Sequence, residues 1–511
     1  MLKLKIKALV LFGFSLTFGN AQNAKPIEEY RPKVHFTPQK NWMNDPNGMF
    51  YYKGEYHLFY QYNPYGNVWG HMSWGHAISK DLVKWEHLPI ALEEENKTMI
   101  FSGSAVVDYN NTSGFGSLMS PPIVAIYTSY DAATGLQHQS IAYSNDNART
   151  FTKYSNNPVL NLNSKDFRDP KVFWDENNKN WVMIVAMSME KKILFYSSPN
   201  LKDWTKMSEF GSKGITEGVW ECPDLFPLSY KGKTKWILTV NLGNGNISGG
   251  SGIHYFIGDF DGKNYVLDGT ETSSGLEYQF LDYGKDFYAA VTWAGIPNQT
   301  TQSRKWLGWM NNWQYAADIP SLGWRGSMTI PRNLYLDKDD AGYLLRQEPI
   351  NLSESYVKDL SKKSKKISID QVNMIFKNHN SFDLTFDLSF SFFPNKSNGD
   401  LVFQILDDDK VSIRLSYNSN SENWTLIRKD KELNKQEYQT VQTLYETSSN
   451  SKKRKNVRII VDKNSIELFL DNGKKVATNL FFPNTNKTTR VELQSENPIF
   501  ELLDFSLHKF K

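Results

Sequence analysis

The sequence predicts an all-β chain: a five-bladed β-propeller followed by a C-terminal antiparallel β-sandwich. Three observations predict it. Short aromatic and β-branched runs, punctuated by Gly, Asn, Asp and Pro, fill residues 30–345. One pattern recurs inside that region, as SKDLVKWEHL from Ser79, SNDNARTFTKY from Ser144 and SPNLKDWTKM from Ser198. Beyond about Asp337 the texture changes to strict alternation of apolar and polar residues.

The propeller rests on the first two. YYKGEYHLFYQY, IVAIYTSY, WVMIVAM and TKWILTV read as strands, most of them buried on both sides. Each copy of the recurring pattern follows a strand that ends in a small or polar residue, and places an aromatic before another strand. The copies start 65 and 54 residues apart. That spacing is one four-stranded blade with its loops, so roughly 315 residues at about 60 per blade give five blades. Residues 346–366 read as a linker, because SESYVKDLSKKSKK is polar and basic. The sandwich occupies 367–511. In SFDLTFDLSFSF, Phe382, Leu384, Phe386, Leu388, Phe390 and Phe392 share one face, and Asn472-Gly473 marks a hairpin turn. The pattern implies one core face and one solvated face. The basic run at 452–455 reads as a solvated loop.

Residues 1–21 read as an export signal. Lys3, Lys5 and Lys7 precede the apolar run ALVLFGFSLTFG, and Gly19 and Ala21 suit cleavage. The apolar run is too short to span a bilayer, no cysteine follows it to carry a lipid anchor, and no later stretch is long and apolar enough to insert. A secreted protein, periplasmic or extracellular, is expected. Cleavage after Ala21 removes three lysines and no acid, taking the formal net charge from +3 to zero. A neutral chain exerts no general pull on nucleic acid or anionic lipid.

Composition narrows the chemistry further. The 40% hydrophobic and 22% charged content of the 511 residues is that of a folded soluble protein. An aromatic content of 14% suits both pleated surfaces and the stacking of sugar rings. One cysteine, Cys222, excludes an intrachain disulfide, a zinc ribbon and an iron–sulfur site. The nine histidines form no His-x-x-x-His pair, so neither a metal nor another cofactor is called for.

Three segments surround a carboxylate with aromatic, apolar or proline neighbours: WMNDPNG with Asp45, FRDPK with Asp169, and WECPDLF with Glu221. Taken singly, each has a plain structural reading: a tight turn, a surface turn with a local ion pair, and a buried structural acid. Together they lie a blade or two apart in a fold whose loops or inner strands converge on one axial pocket.

These segments resemble glycoside hydrolase family 32, the β-fructofuranosidases. The similarity covers most of residues 34–349, through WMNDPNG, YHLFYQYNP, WGHAISKDLVKWEHLPIAL, FSGSAVV, FRDPKV, ECPDLF, DFYAAVTW, GWMNNWQYA and MTIPRNL. The resemblance implies the same propeller and sandwich, and retaining hydrolysis of a fructofuranosyl bond. It makes Asp45 the nucleophile, Glu221 the acid/base, and Asp169 the carboxylate that holds ring hydroxyls and stabilises the transition state. A retaining pair stands about 5–5.5 Å apart. Repulsion and desolvation are expected to raise the Glu221 pKa while Asp45 stays ionised, with Arg168 moderating the repulsion beside Asp169. By resemblance Asn44, Gln61, Trp69, Phe101, Ser102, Arg168, Tyr288 and Trp313 bind substrate, and Asp286 supports Tyr288 and Glu221. The expected substrates are fructans, levan and/or inulin, and sucrose. Trp69 and its loop favour release of terminal fructose. An endo-levanase, a fructosyltransferase and a non-catalytic fructan-binding protein remain alternatives, although the last would call for a missing acid. The sandwich is expected to pack on the propeller rather than bind glycan.

Overall fold

The computed structural model describes residues 28–268, 276–297, 300–320, 323–361, 366–378, 384–394, 399–429, 438–444, 454–483, 489–497 and 500–511. The export signal expected over residues 1–21 lies outside them, as do Phe382 of the alternating run and Lys452 and Lys453 of the basic run.

Five sheets follow one another along residues 41–349, each built on four antiparallel strands. Their first strands are Asn41–Tyr52, Thr98–Val107, Phe167–Asp175, Trp220–Tyr230 and Tyr288–Thr292. These five contact one another in a ring, the fifth returning to the first, so they form the inner wall of a five-bladed propeller. Closure is reinforced by an exchange. Trp324–Arg325 leave the fifth blade and pair in parallel with Asn41 and Trp42 of the first. The second strands of the first four blades are Glu55–Asn63, Ile123–Asp131, Asn180–Met187 and Lys233–Leu242. They are buried on both faces because another blade covers each side.

The recurring segment has one location in three blades. Ser79, Ser144 and Ser198 end the third strands, and Trp85, Phe151 and Trp204 stand where the fourth begin. Each serine Oγ accepts a backbone N–H of the turn, from Leu82 at 2.8 Å, Ala148 at 2.9 Å and Asn200 at 3.1 Å. Leu82, Ala148 and Leu201 share a left-handed backbone, with φ of 67°, 62° and 64°. The sequence repeat is therefore one turn, used once in each of three blades.

The C-terminal part is a sandwich of a seven-stranded and a five-stranded sheet. Phe386, Leu388, Phe390 and Phe392 of the first meet Leu401, Phe403 and Ile405 of the second in its core. The outer face of the seven-stranded sheet differs from the expected solvated surface. It places Ile460, Phe469, Val476 and Phe510 in a core shared with Val34, Met43, Trp309 and Leu352. Polar groups on that face are paired across the same boundary. His35 bonds Asp462 through Nδ1 and Glu467 through Nε2, both at 2.8 Å, and Arg332 Nη2 bonds Glu467 at 2.5 Å. The hairpin at Asn472-Gly473 also docks on the propeller. Gln347 N donates to Gly473 O at 2.9 Å, and a Cβ at Gly473 would lie 1.7 Å from Gln347 O, so only glycine fits.

One local expectation changed. Residues 346–366 are not a free linker: Gly342–Pro349 is the outer strand of the last blade, and Tyr356–Asp359 pairs with Glu501–Phe510 of the sandwich. Polarity misled because an edge strand with both faces wet looks like a loop. Helix Ile369–Asn378 follows, opened by a capping box in which Gln371 N donates to Ser368 Oγ at 3.3 Å and Ser368 N to Gln371 Oε1 at 3.1 Å. No helix among the described residues is long and apolar enough to cross a membrane.

Candidate active site

Each innermost strand slips register near its N-terminal end. The slips fall between Met43 and Pro46, Ile100 and Gly103, Arg168 and Lys171, Glu221 and Asp224, and Tyr288 and Val291. A bulge of this kind turns a side chain out of the pleat and bends the strand. Proline, with no N–H to give a ladder, sits in three of them as Pro46, Pro170 and Pro223. Asp169, Cys222 and Ala289 occupy the same step of three successive bulges, with φ of 67°, 42° and 53°. The acid-proline motifs are thus the bulges themselves, and the ring of blades aims all five at one place.

The polar residues after the bulges hold the inner strands together. Lys171 Nζ donates to Asp224 Oδ2 at 3.1 Å and to Thr292 O at 2.8 Å. Asp224 Oδ2 also accepts Thr292 N at 2.6 Å. That buried cluster locks the third, fourth and fifth blades just below the carboxylates, which explains why both motifs extend past their acids.

The bulges surround a cavity of about 500 Å³. Ten of the eleven residues expected to act in catalysis or bind substrate line it. Asn44, Asp45 and Gln61 come from the first blade, Phe101 and Ser102 from the second, Arg168 and Asp169 from the third, Glu221 from the fourth, and Trp69 and Trp313 from loops. The eleventh, Tyr288, touches it through Glu221, to whose Oε2 its hydroxyl donates. Trp69 is 46% exposed at the mouth, its ring edge on Phe101 at 6.0 Å. Trp313 stacks on Trp42, with centroids 6.0 Å apart.

Four lining residues were missed: Tyr130, Gln137, Val219 and Gly243. Tyr130 lies parallel to Phe101, centroids 4.8 Å apart, and Gln137 Oε1 accepts Arg168 Nη1 at 3.2 Å. Tyr130 and Gln137 belong to ordinary blade strands, and nothing local sets them apart from their neighbours.

The three carboxyls sit in different surroundings. Asp45 receives Ser102 Oγ at 2.6 Å on Oδ2 and Asn44 Nδ2 at 2.9 Å on Oδ1. Burial pushes its carboxyl up, those two donors pull it down, and the Glu221 charge adds to the rise. The Asp169 backbone N–H donates to Thr128 Oγ1 at 2.9 Å, and its carboxylate Oδ2 accepts Cys222 N at 2.9 Å. Burial and then the Glu221 charge push its carboxyl up to about 7, against the pull of Arg168. Glu221 Oε1 takes Arg168 Nε at 3.0 Å while Oε2 takes Tyr288. Burial opposes the Arg168 charge, but Glu221, Asp169 and Asp166 outweigh it and hold the guanidinium above its ordinary pKa.

The Arg168 charge pulls the Asp169 carboxyl down, while the bulge turns the Arg168 side chain to bond Glu221 in the next blade. Burial pushes up the carboxyls of Asp45 and Asp169, the two acids the cavity buries most deeply. Asp286, expected to support Tyr288 and Glu221, bonds Tyr315 and Arg428 through its side chain. Chemically, the pocket offers one carboxylate held by neutral donors and another held by a phenol and a guanidinium. Such unequal surroundings let two acids divide nucleophilic and proton-transfer work.

Residues 35–349 match the glycosyl hydrolases family 32 N-terminal domain, and residues 344–509 match the family 32 C-terminal domain. A levanase of Bacillus subtilis (strain 168) is 43% identical, over 100% of this chain and 75% of that protein. The crystal structure of an exo-inulinase from Aspergillus awamori matches with a TM-score of 0.82 at 33% identity, over 95% of this chain and 99% of that one. A β-fructofuranosidase from Schwanniomyces occidentalis, complexed with fructosyl-erythritol, matches with a TM-score of 0.84 at 34% identity, over 94% and 98%.

Proposed function

Belonging to the glycosyl hydrolases of family 32, the chain is a β-fructosidase of fructans and sucrose, and we propose that it releases terminal fructofuranosyl units by double displacement. One observation carries the mechanism: Asp45, Asp169 and Glu221, from three different blades, share one pocket with unequal partners.

In the first step an Asp45 oxygen attacks the anomeric carbon and the bond to the leaving oxygen breaks. Glu221 gives that oxygen its proton. In the second step Glu221 takes a proton from water, the water oxygen bonds the anomeric carbon, and the Asp45 carboxylate leaves. Asp169 faces the ring. As positive charge develops there its ionised form is favoured, which leaves the pocket proton to Glu221. Trp69, half-exposed over Phe101, supports exo action by narrowing the mouth behind a terminal ring. Export rests on the basic and apolar residues 1–21.

The test is to incubate the protein separately with levan, inulin and sucrose and follow the products with time. Fructose alone from the fructans, from the earliest samples, is expected. Early oligosaccharides would make it an endo-enzyme, and longer chains grown from sucrose would make it a transferase.

A further inference from the structure

The sandwich reaches the pocket through one buried arginine. Arg428 ends the strand Asn423–Arg428 and is fully buried. Within the sandwich, its Nε and Nη2 donate to Tyr438 O at 2.9 and 2.8 Å, and its Nη1 donates to Leu480 O at 3.0 Å. Its remaining contacts cross to the propeller. Nη1 bonds the Asp286 carboxylate, and Nη2 donates to the Tyr315 hydroxyl oxygen at 2.9 Å. Tyr315 gives its own proton to Asp286, whose other oxygen accepts Leu480 N at 2.8 Å.

Both propeller partners stand two positions from the pocket. Asp286 precedes Tyr288, whose hydroxyl bonds Glu221, and Tyr315 follows Trp313, which forms the wall. Asn312 ties the two segments, donating from Nδ2 to Lys285 O at 2.8 Å. We infer that Arg428 is a positioning residue for the hydrolysis: through Asp286 and Tyr315 it holds Tyr288 on Glu221 and Trp313 against the pocket. The inference rests on Glu221 acting as the acid/base.

The physics favours this over plain adhesion. The shared apolar core already joins the two parts, and apolar surface slides at little cost. A buried guanidinium and carboxylate are tolerated only when each finds the other with good geometry, so the pair admits one register. Without Arg428, Asp286 keeps a buried charge with only neutral donors. Its relief is to move toward water, and Tyr288, two residues on, moves with it. A shift of about 1 Å at a catalytic group can cost up to about a hundred-fold in rate.

The test measures kcat, KM and the pH profile of kcat on sucrose, per mole of folded protein. Arg428→Met is expected to lower kcat by about ten-fold or more and to move the limb of the profile that disappears in Glu221→Gln. Arg428→Lys, which restores the charge, is expected to recover part of both. Tyr315→Phe keeps the ring and loses only its hydroxyl; an expected fall of about three-fold with the same shift carries the test if Arg428→Met does not fold. Arg458→Met, which breaks a pair with Asp387 elsewhere in the sandwich, is expected to leave kcat and its profile unchanged. Lower thermal stability with unchanged kcat and profile in Arg428→Met, or in Tyr315→Phe, would overturn the inference and leave the acid/base reading standing. Full activity in Glu221→Gln would overturn both.

Discussion

The backbone N–H of Cys222 donates to Asp169 Oδ2 at 2.9 Å. The bulge that presents Glu221 from the fourth blade therefore also aims the acid of the third. The Cys222 sulfur continues the link, 3.6 Å from Asp169 Oδ2 and 3.5 Å from Asp45 Oδ2. One residue with no part in bond-making thus touches two of the three carboxyls and adjoins the third in sequence.

That spacing has a pH signature at Asp169. Its folded pKa of about 7 lies above its ordinary 3.8, so binding a proton favours the folded state. The stabilisation is full below about pH 4 and lost as pH rises through 7. Asp169→Asn, which cannot titrate, is expected to gain in melting temperature relative to the parent between pH 5 and pH 8. It is also expected to lose about two to three orders of magnitude in kcat/KM. Melts at the two pH values check the first part; a constant difference would contradict it.

Cys222 is expected to be inert as a thiol. Burial, then the charges of Asp169, Asp45 and Glu221, push its pKa well up, so little thiolate forms. Alkylation by iodoacetamide at pH 8 is expected to run about a hundred-fold slower in the folded protein than in urea. Activity should fall in step with the alkylation that does occur. Modification without loss of activity would place the sulfur away from the carboxyls.

The boundary between propeller and sandwich titrates at its own pH. Burial opposes a charge on His35, but the hydrogen bonds it donates to Asp462 and Glu467, with their charges, outweigh it and push the imidazole up to about 9. A raised histidine stabilises fully below its ordinary 6.5, and the gain is lost as pH rises through 9. His35→Gln is expected to cost about 3 kcal/mol at pH 6 and progressively less toward pH 10. Denaturant unfolding across that range checks it; a cost independent of pH would show that the ring is neutral.

The pocket was legible because its acids sit in bulges, and a bulge leaves a local mark: a carboxylate followed by proline, or a residue able to take positive φ. The blade repeat was legible for a similar reason, since one serine turn recurs with its aromatic. What the sequence hid has no local mark. Tyr130 and Gln137 alternate like any strand residue, and only the ring of blades turns them inward. Arg428 reads as a polar strand end, and its partner Asp286 is 142 positions away. His35 pairs with Glu467 across 432 positions. The helix at 369–378 did carry a signal, Ser368 with Gln371 before Val372 and Phe376, but it stood among alternating strands and was passed over.

The central claim is a covalent intermediate on Asp45. Rapid acid quench of the parent enzyme during turnover of sucrose, followed by proteolysis and mass spectrometry, tests it most directly. The account predicts one anhydrohexose on the peptide that contains Asp45, absent from Asp45→Asn. An adduct on another peptide, or product formed at undiminished rate by Asp45→Asn, would contradict it.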